Sequence, residues 1–245
     1  GGSFLALLLA LNYTSFELER ACHDLREMVA NSTYELDLLF TRFGGIDGKA
    51  LFGVFLSRCI ETKTGEKSLT FEQLNQHTGR TLTVAMLCLT SNAIEYMTHS
   101  THPDTDVALA VTASCAIPLV FTPVTIASHL YVDPAIVEVA ALRMLDAETS
   151  TLVFTIDAER NKGGGTPQKL TSYIELVMSS IANVHQQTQL EKLRAAEESV
   201  RDRVVRFKVP RPETERFPAV MFPKPEYLAA LIQSGMATVR EHLKM

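Results

Sequence analysis

The chain has 245 residues, 46% hydrophobic and 21% charged, enough apolar material for a sizeable core and too much for a disordered or fibrous chain. Its net charge of −5, from 23 basic and 28 acidic residues, argues against a nucleic-acid partner, because duplex binding draws on a surplus of Lys and Arg. The longest uninterrupted apolar run, Phe4 to Leu11, is far short of the roughly 20 residues that cross a bilayer, so no transmembrane segment is expected.

The chain opens on Gly1-Gly2-Ser3, with no initiator Met, basic n-region or cleavage site, and reads as a cut end rather than a signal peptide. Phe4–Leu11 is apolar all round and, as a helix, is expected to be buried on every side. Ser15 is expected to cap a second helix with Leu18, Cys22, Leu25 and Val29 on one face. Helical spacing continues from Tyr34 to Phe43, stops at Gly44-Gly45, and resumes over Leu51 to Cys59. Thr70-Phe71-Glu72-Gln73 fits a capping box, with Gly79 closing that helix. Thr81 to Leu89 alternates and then turns uniformly apolar, as suits a strand covered on both faces.

Asp104 is expected to open a helix over Val107, Ala108 and Val111 that Pro118 closes. Leu119 to Ile126 and Leu130 to Val132 read as short extended segments around Pro123, and Val137 to Leu145 as a helix. Leu152 to Ile156, β-branched and aromatic, reads as a central strand. After a Gly163-Gly164-Gly165 loop come a long helix from Leu170 to Arg201, a strand from Arg203 to Val209, a proline-rich loop from Pro210 to Pro225 and a last helix. Strands alternating with helices imply an α/β fold, a mixed sheet with helices on both faces. No repeat or low-complexity segment divides the chain, and residues 1–245 are expected to form a single domain.

Cys22, Cys59, Cys88 and Cys115 form no close pair and read as buried free thiols. His77, His99, His102, His129 and His185 have no partner at ligand spacing, so no metal site is expected. Three local patterns carry the chemistry. The first is Gly1-Gly2-Ser3-Phe4-Leu5-Ala6-Leu7-Leu8. The second is Leu69-Thr70-Phe71-Glu72-Gln73-Leu74 followed by His77-Thr78-Gly79-Arg80. The third is Ala113-Ser114-Cys115-Ala116-Ile117-Pro118, then Phe121-Thr122-Pro123-Val124 and Tyr131-Val132-Asp133-Pro134-Ala135.

In this order and spacing the three resemble the patatin-like phospholipase family, well over about residues 1 to 160 and loosely beyond. The resemblance implies a three-layer α/β/α sandwich with a central mixed, mostly parallel sheet, and a lipid acyl hydrolase working through a Ser–Asp dyad and an acyl-enzyme. It implies no metal or organic cofactor, a lipid or phospholipid substrate, and peripheral contact with a membrane surface. A cytoplasmic or peripheral-membrane location fits that reading. Asp133 matches the family's catalytic aspartate. The family's Asp-Gly-Gly or Asp-Gly-Ala turn is replaced here by Asp133-Pro134-Ala135, and proline fixes a φ that glycine leaves free.

The family's nucleophile sits in G-x-S-x-G on a sharp turn into a buried helix. Aligned on Phe4 to Thr14, Gly2 takes the place of the last glycine and Gly1 the residue before it. The nucleophile is then expected immediately before Gly1, outside this polypeptide, which by itself should be nearly inert. Ser3 is a poor substitute, because Leu5 stands where its second glycine belongs. Two other readings compete: a catalytically dead patatin-fold module that binds lipid or a partner, and an unrelated α/β interaction domain.

Overall fold

A computed structural model describes residues 2–137, 153–158, 173, 177, 180, 204–209 and 233–240. The chain divides into two compact units, Gly1–Pro134 and Ala135–Met245. The first carries helices α1 (Gly2–Ala10), α2 (Ser15–Ala30), α3 (Leu36–Arg42), α4 (Val54–Thr64), α5 (Phe71–Thr78) and α6 (Val107–Ser114). Its strands are β1 (Gly44–Ile46), β2 (Val84–Cys88), β3 (Ala93–Met97), β4 (Leu119–Phe121), β5 (Val124–Ile126) and β6 (His129–Val132). In the second unit, β7 (Val153–Ala158) and β8 (Val204–Val209) pair in parallel.

The fold is mixed α/β, as the alternation of signals implies. β1 and β4 pair in parallel, with Gly44 opposite Leu119 and Ile46 opposite Phe121. β3-β2-β6-β5 form an antiparallel sheet of four strands. Connection length sets these senses. A two-residue loop, Ala127-Ser128, joins β5 to β6, and only antiparallel neighbours can be joined so briefly. β1 and β4 are separated by several helices, which gives the crossover that parallel pairing needs.

α6 is the hub of this unit. Seven of its eight residues are buried, all of them Ala, Val, Thr or Ser, and it packs against α1, β2, β5 and β6. Small side chains let those elements approach its backbone. The core of the unit also includes Phe4, Leu7 and Leu8 of α1, Leu56 and Ile60 of α4, Met86 of β2, and Phe121 of β4, all buried.

Several expected elements stand where the sequence put them. Thr70 caps α5 with a reciprocal Gln73 box, and Gly79 ends it in the left-handed region at φ 66°. β2, β4, β5, β6, β7 and β8 fall within or across the expected extended segments.

Others shift. Thr14, not Ser15, caps α2, because Thr14 Oγ1 accepts from the Glu17 amide while the Thr14 N–H donates to the Glu17 carboxylate. α6 begins two residues later than expected, with Asp106 in place of Asp104 as its cap. There the Asp106 carboxylate takes bonds from the Leu109 amide and from Ser68 Oγ. The helix expected from Tyr34 starts at Leu36, and Gly44-Gly45 is a buried strand rather than a plain stop. α1 is not buried on every side: Leu5 is 44% and Leu9 50% exposed. The Val137–Leu145 and Leu170–Arg201 helices fall largely outside the described residues, although Tyr173, Val177 and Ser180 are helical. The 163–165 and 210–225 loops lie wholly outside them.

Candidate active site

The turn that ends α6 is the meeting point. Cys115 caps the helix, its N–H bonded back to the Val111 and Thr112 carbonyls, and Ala116 N–H bonds to Ala113. The Ala116 carbonyl, left free by the end of the helix, accepts the backbone N–H of Asp133 at 2.9 Å. Beside it, Ser3 Oγ lies 3.8 Å from Cys115 Sγ. The amino end of α1 and the Asp133 main chain therefore abut adjacent residues of one turn.

Asp133 is 7% exposed and is the one carboxylate among the buried polar residues described, with Thr112, Ser114 and Thr122. Burying an ionisable group is costly, so a carboxylate held in such a place calls for a reason. Pro134 and Ala135 follow it in a single 3₁₀ turn, Pro134–Ile136. The fixed φ of proline suits the first position of a helical turn, so the substitution for glycine is accommodated by coiling the chain immediately after the acid. Gly2 is the first residue of α1, and a Cβ built on it would meet nothing within 4 Å. Gly1 lies outside the described residues.

Two features of this region were not legible in the sequence. Cys115 is the buried free thiol expected, but its neighbour Ser3, 112 positions away, could not be foreseen. Tyr131, 4% exposed, donates from its hydroxyl to Glu95 Oε2 at 2.8 Å, and Ser91 Oγ reaches the other Glu95 oxygen at 3.2 Å. Burial, and then the hydrogen bond to the Glu95 carboxylate, push the Tyr131 phenol well above its ordinary value and keep it a donor. Tyr131 and Glu95 are 36 positions apart, and only the strand order joins them.

A cavity of about 400 Å³ opens elsewhere on the same unit, at the carboxyl ends of β1 and β4, among Arg42, Asp47, Lys49 and Thr122. Asp133, Ser3 and Cys115 do not line it. Among the described residues no group of three or more His, Cys, Asp or Glu could hold a metal ion, and no helix is long and apolar enough to cross a membrane.

Comparison with known proteins supplies relatives. A probable lipid hydrolase, 463L, of Invertebrate iridescent virus 6 is 25% identical over 136 residues, 54% of this chain and 46% of the relative. The chain thus spans less than half the length of that relative. The crystal structure of VipD from Legionella pneumophila overlaps 74% of this chain and 36% of VipD, at 18% identity and a TM-score of 0.45. The family model for patatin-like phospholipases matches residues 1–146. That match covers more than half of the residues and contains the α6 turn, Phe121-Thr122-Pro123-Val124 and Asp133, so the chain belongs to the patatin-like phospholipase family.

Proposed function

We propose that the full-length protein is a lipid acyl hydrolase that works through a Ser–Asp dyad, with Asp133 as its base and a serine immediately before Gly1 as its nucleophile. One observation carries this reading: buried Asp133 is bonded through its main chain to the turn that the amino end of α1 touches. A nucleophile one residue upstream of Gly1 would stand at the positive end of the α1 dipole, which favours a developing oxyanion.

The chemistry follows from the pairing. A serine hydroxyl is a weak nucleophile until a neighbouring base takes its proton. Asp133 accepts that proton as the serine oxygen bonds to the ester carbonyl carbon, giving a tetrahedral oxyanion. Its collapse breaks the ester C–O bond, and the alcohol leaves with the proton from Asp133. Water, deprotonated by Asp133 in turn, then attacks the acyl-serine. The C–O bond to serine breaks, releasing the acid and restoring the hydroxyl.

Neither half of the dyad suffices alone. The 245-residue polypeptide contains no G-x-S-x-G, and on this reading it is inert by itself. The substrate is a lipid or phospholipid ester met at a membrane surface. Exposed Leu36, Phe40 and Phe43 at α3 are apolar surface of the kind an interfacial enzyme presents.

The test is direct. The gene should encode Gly-x-Ser ahead of Gly1, and the full-length protein should hydrolyse a short-chain nitrophenyl ester. Asp133→Asn should lower that rate by about 10³-fold or more, since the nucleophile loses its base. An unchanged rate would remove Asp133 from the mechanism. A second reading, a patatin-fold module without activity, draws on Pro134 in place of the family's glycine. A residue other than serine before Gly1 would favour it.

A further inference from the structure

We propose that Tyr131 and Glu95 are a positioning pair that fixes where Asp133 emerges from β6; the inference rests on the reading of Asp133 as the base. β6 has four residues, and β2 pairs with it only through Cys88–Tyr131 and Leu87–Val132. β5 pairs with His129, Leu130 and Tyr131 and leaves Val132 without a partner on that side. The strand is therefore thinly held where it hands the chain to Asp133. Past that point the Asp133 N–H bonds to the Ala116 carbonyl.

The Tyr131 hydroxyl supplies a second anchor, upstream. Glu95 sits on β3 opposite Met86 of β2, so the Tyr131–Glu95 bond reaches from β6 across β2 to the far strand. Glu95 is itself held from its other oxygen by Ser91. Asp133 directly follows the last residue of β6, so a Tyr131 ring fixed two residues upstream limits where the chain leaves the strand. A slip of one residue in β6 would move that exit point as well. A phenylalanine would fill the same buried space without a polar atom to satisfy, so the hydroxyl has a use beyond packing.

A base that must stay within hydrogen-bond reach of a serine tolerates little movement. A displacement of about 1 Å can cost about a hundredfold in rate.

The experiment measures kcat and KM on a soluble nitrophenyl ester, with the full-length protein, for Tyr131→Phe, Glu95→Ala, Glu95→Gln, the Tyr131→Phe/Glu95→Ala double variant and Asp133→Asn. Tyr131→Phe and Glu95→Ala should each lower kcat about ten- to a hundredfold while KM changes less than about twofold. The double variant should be no worse than either single one, because both break the same link. Glu95→Gln should keep kcat within about threefold of the parent, since its amide oxygen still accepts from the phenol.

Parental kcat in Tyr131→Phe, or losses that multiply in the double variant, would overturn the pair. Should Tyr131→Phe not fold, the contrast between Glu95→Ala and Glu95→Gln decides: unequal kcat supports the pair and equal kcat overturns it. An inactive Asp133→Asn beside a fully active Tyr131→Phe refutes the pair alone, whereas an active Asp133→Asn refutes the dyad on which it rests.

Discussion

At the scale of single residues, the two glycines of β1 make the sharpest demands. A Cβ on Gly44 would drive into the carbonyl of Phe121 and the amide of Thr122, backbone atoms that cannot step aside. On Gly45 it would meet the ring of Tyr34, a side chain that can rotate at the loss of its hydrogen bond to the Leu119 carbonyl. Gly44→Ala should therefore destabilise by about 3 kcal/mol, at the upper end of overpacking costs, and Gly45→Ala by less. Denaturant midpoints of the two variants measure the difference.

These glycines also show where the sequence stops informing. Gly-Gly is a poor strand former, and it reads as a stop. It becomes a strand because β4, more than 70 positions away, pairs only with a backbone that carries no side chain there. Asp133 could be proposed from the sequence because a local motif surrounds it. Its link to Ala116 and the Tyr131–Glu95 bond could not, because each depends on partners that only the folded chain brings near.

At the scale of elements, the start of α5 was legible in the sequence and that of α2 was missed by one residue, and the reason for each start is local. Both capping boxes, Thr14–Glu17 and Thr70–Gln73, close within four residues and owe little to the rest of the fold. Removing Thr70 Oγ1 with Thr70→Ala should cost about 1 kcal/mol of unfolding free energy, read from a urea transition.

The Thr14 box is tied into the tertiary structure as well. Glu17 meets Lys63 of α4 at 2.6 Å, and Lys63 lies 4.7 Å from the centre of the Tyr13 ring. The Lys63 hydrogen bond first, then those from Thr14, hold the Glu17 carboxyl down to about 2 from its ordinary 4.5. A lowered folded-state value means that the contribution is present above the unfolded value and lost as pH falls through the folded one. The start of α2 should thus be fully supported above about pH 5 and weaken progressively toward pH 2. Glu17→Gln should flatten that part of a plot of stability against pH. By contrast, the start of α6 could not be told from sequence, because Asp104 and Asp106 are equally good caps and only Ser68 and the Thr70–Asp106 bridge select the second.

At the scale of the whole molecule, protection from solvent is uneven across the first unit. β2 lies between two strands and beneath α6, and four of its five residues are buried. α3 has no buried residue at all. Amide hydrogen exchange should therefore be slowest in β2 and among the fastest of the helices in α3. Comparable rates in the two would mean that α3 is covered in solution.

The β5–β6 hairpin has a different consequence. Ala127 and Ser128 form its loop with φ of 46° and 68°, both in the left-handed region that most residues enter at a cost of about 1–2 kcal/mol. Turns of this hand are normally built from Asn-Gly, so evolution has left thermal resistance unclaimed at the loop. Exchanging Ala127→Asn and Ser128→Gly offers a route to a hardier protein for laboratory use. The four residues of β6 separate the loop from Asp133, so melting temperature should rise while the bond from Asp133 to Ala116 is left as it was.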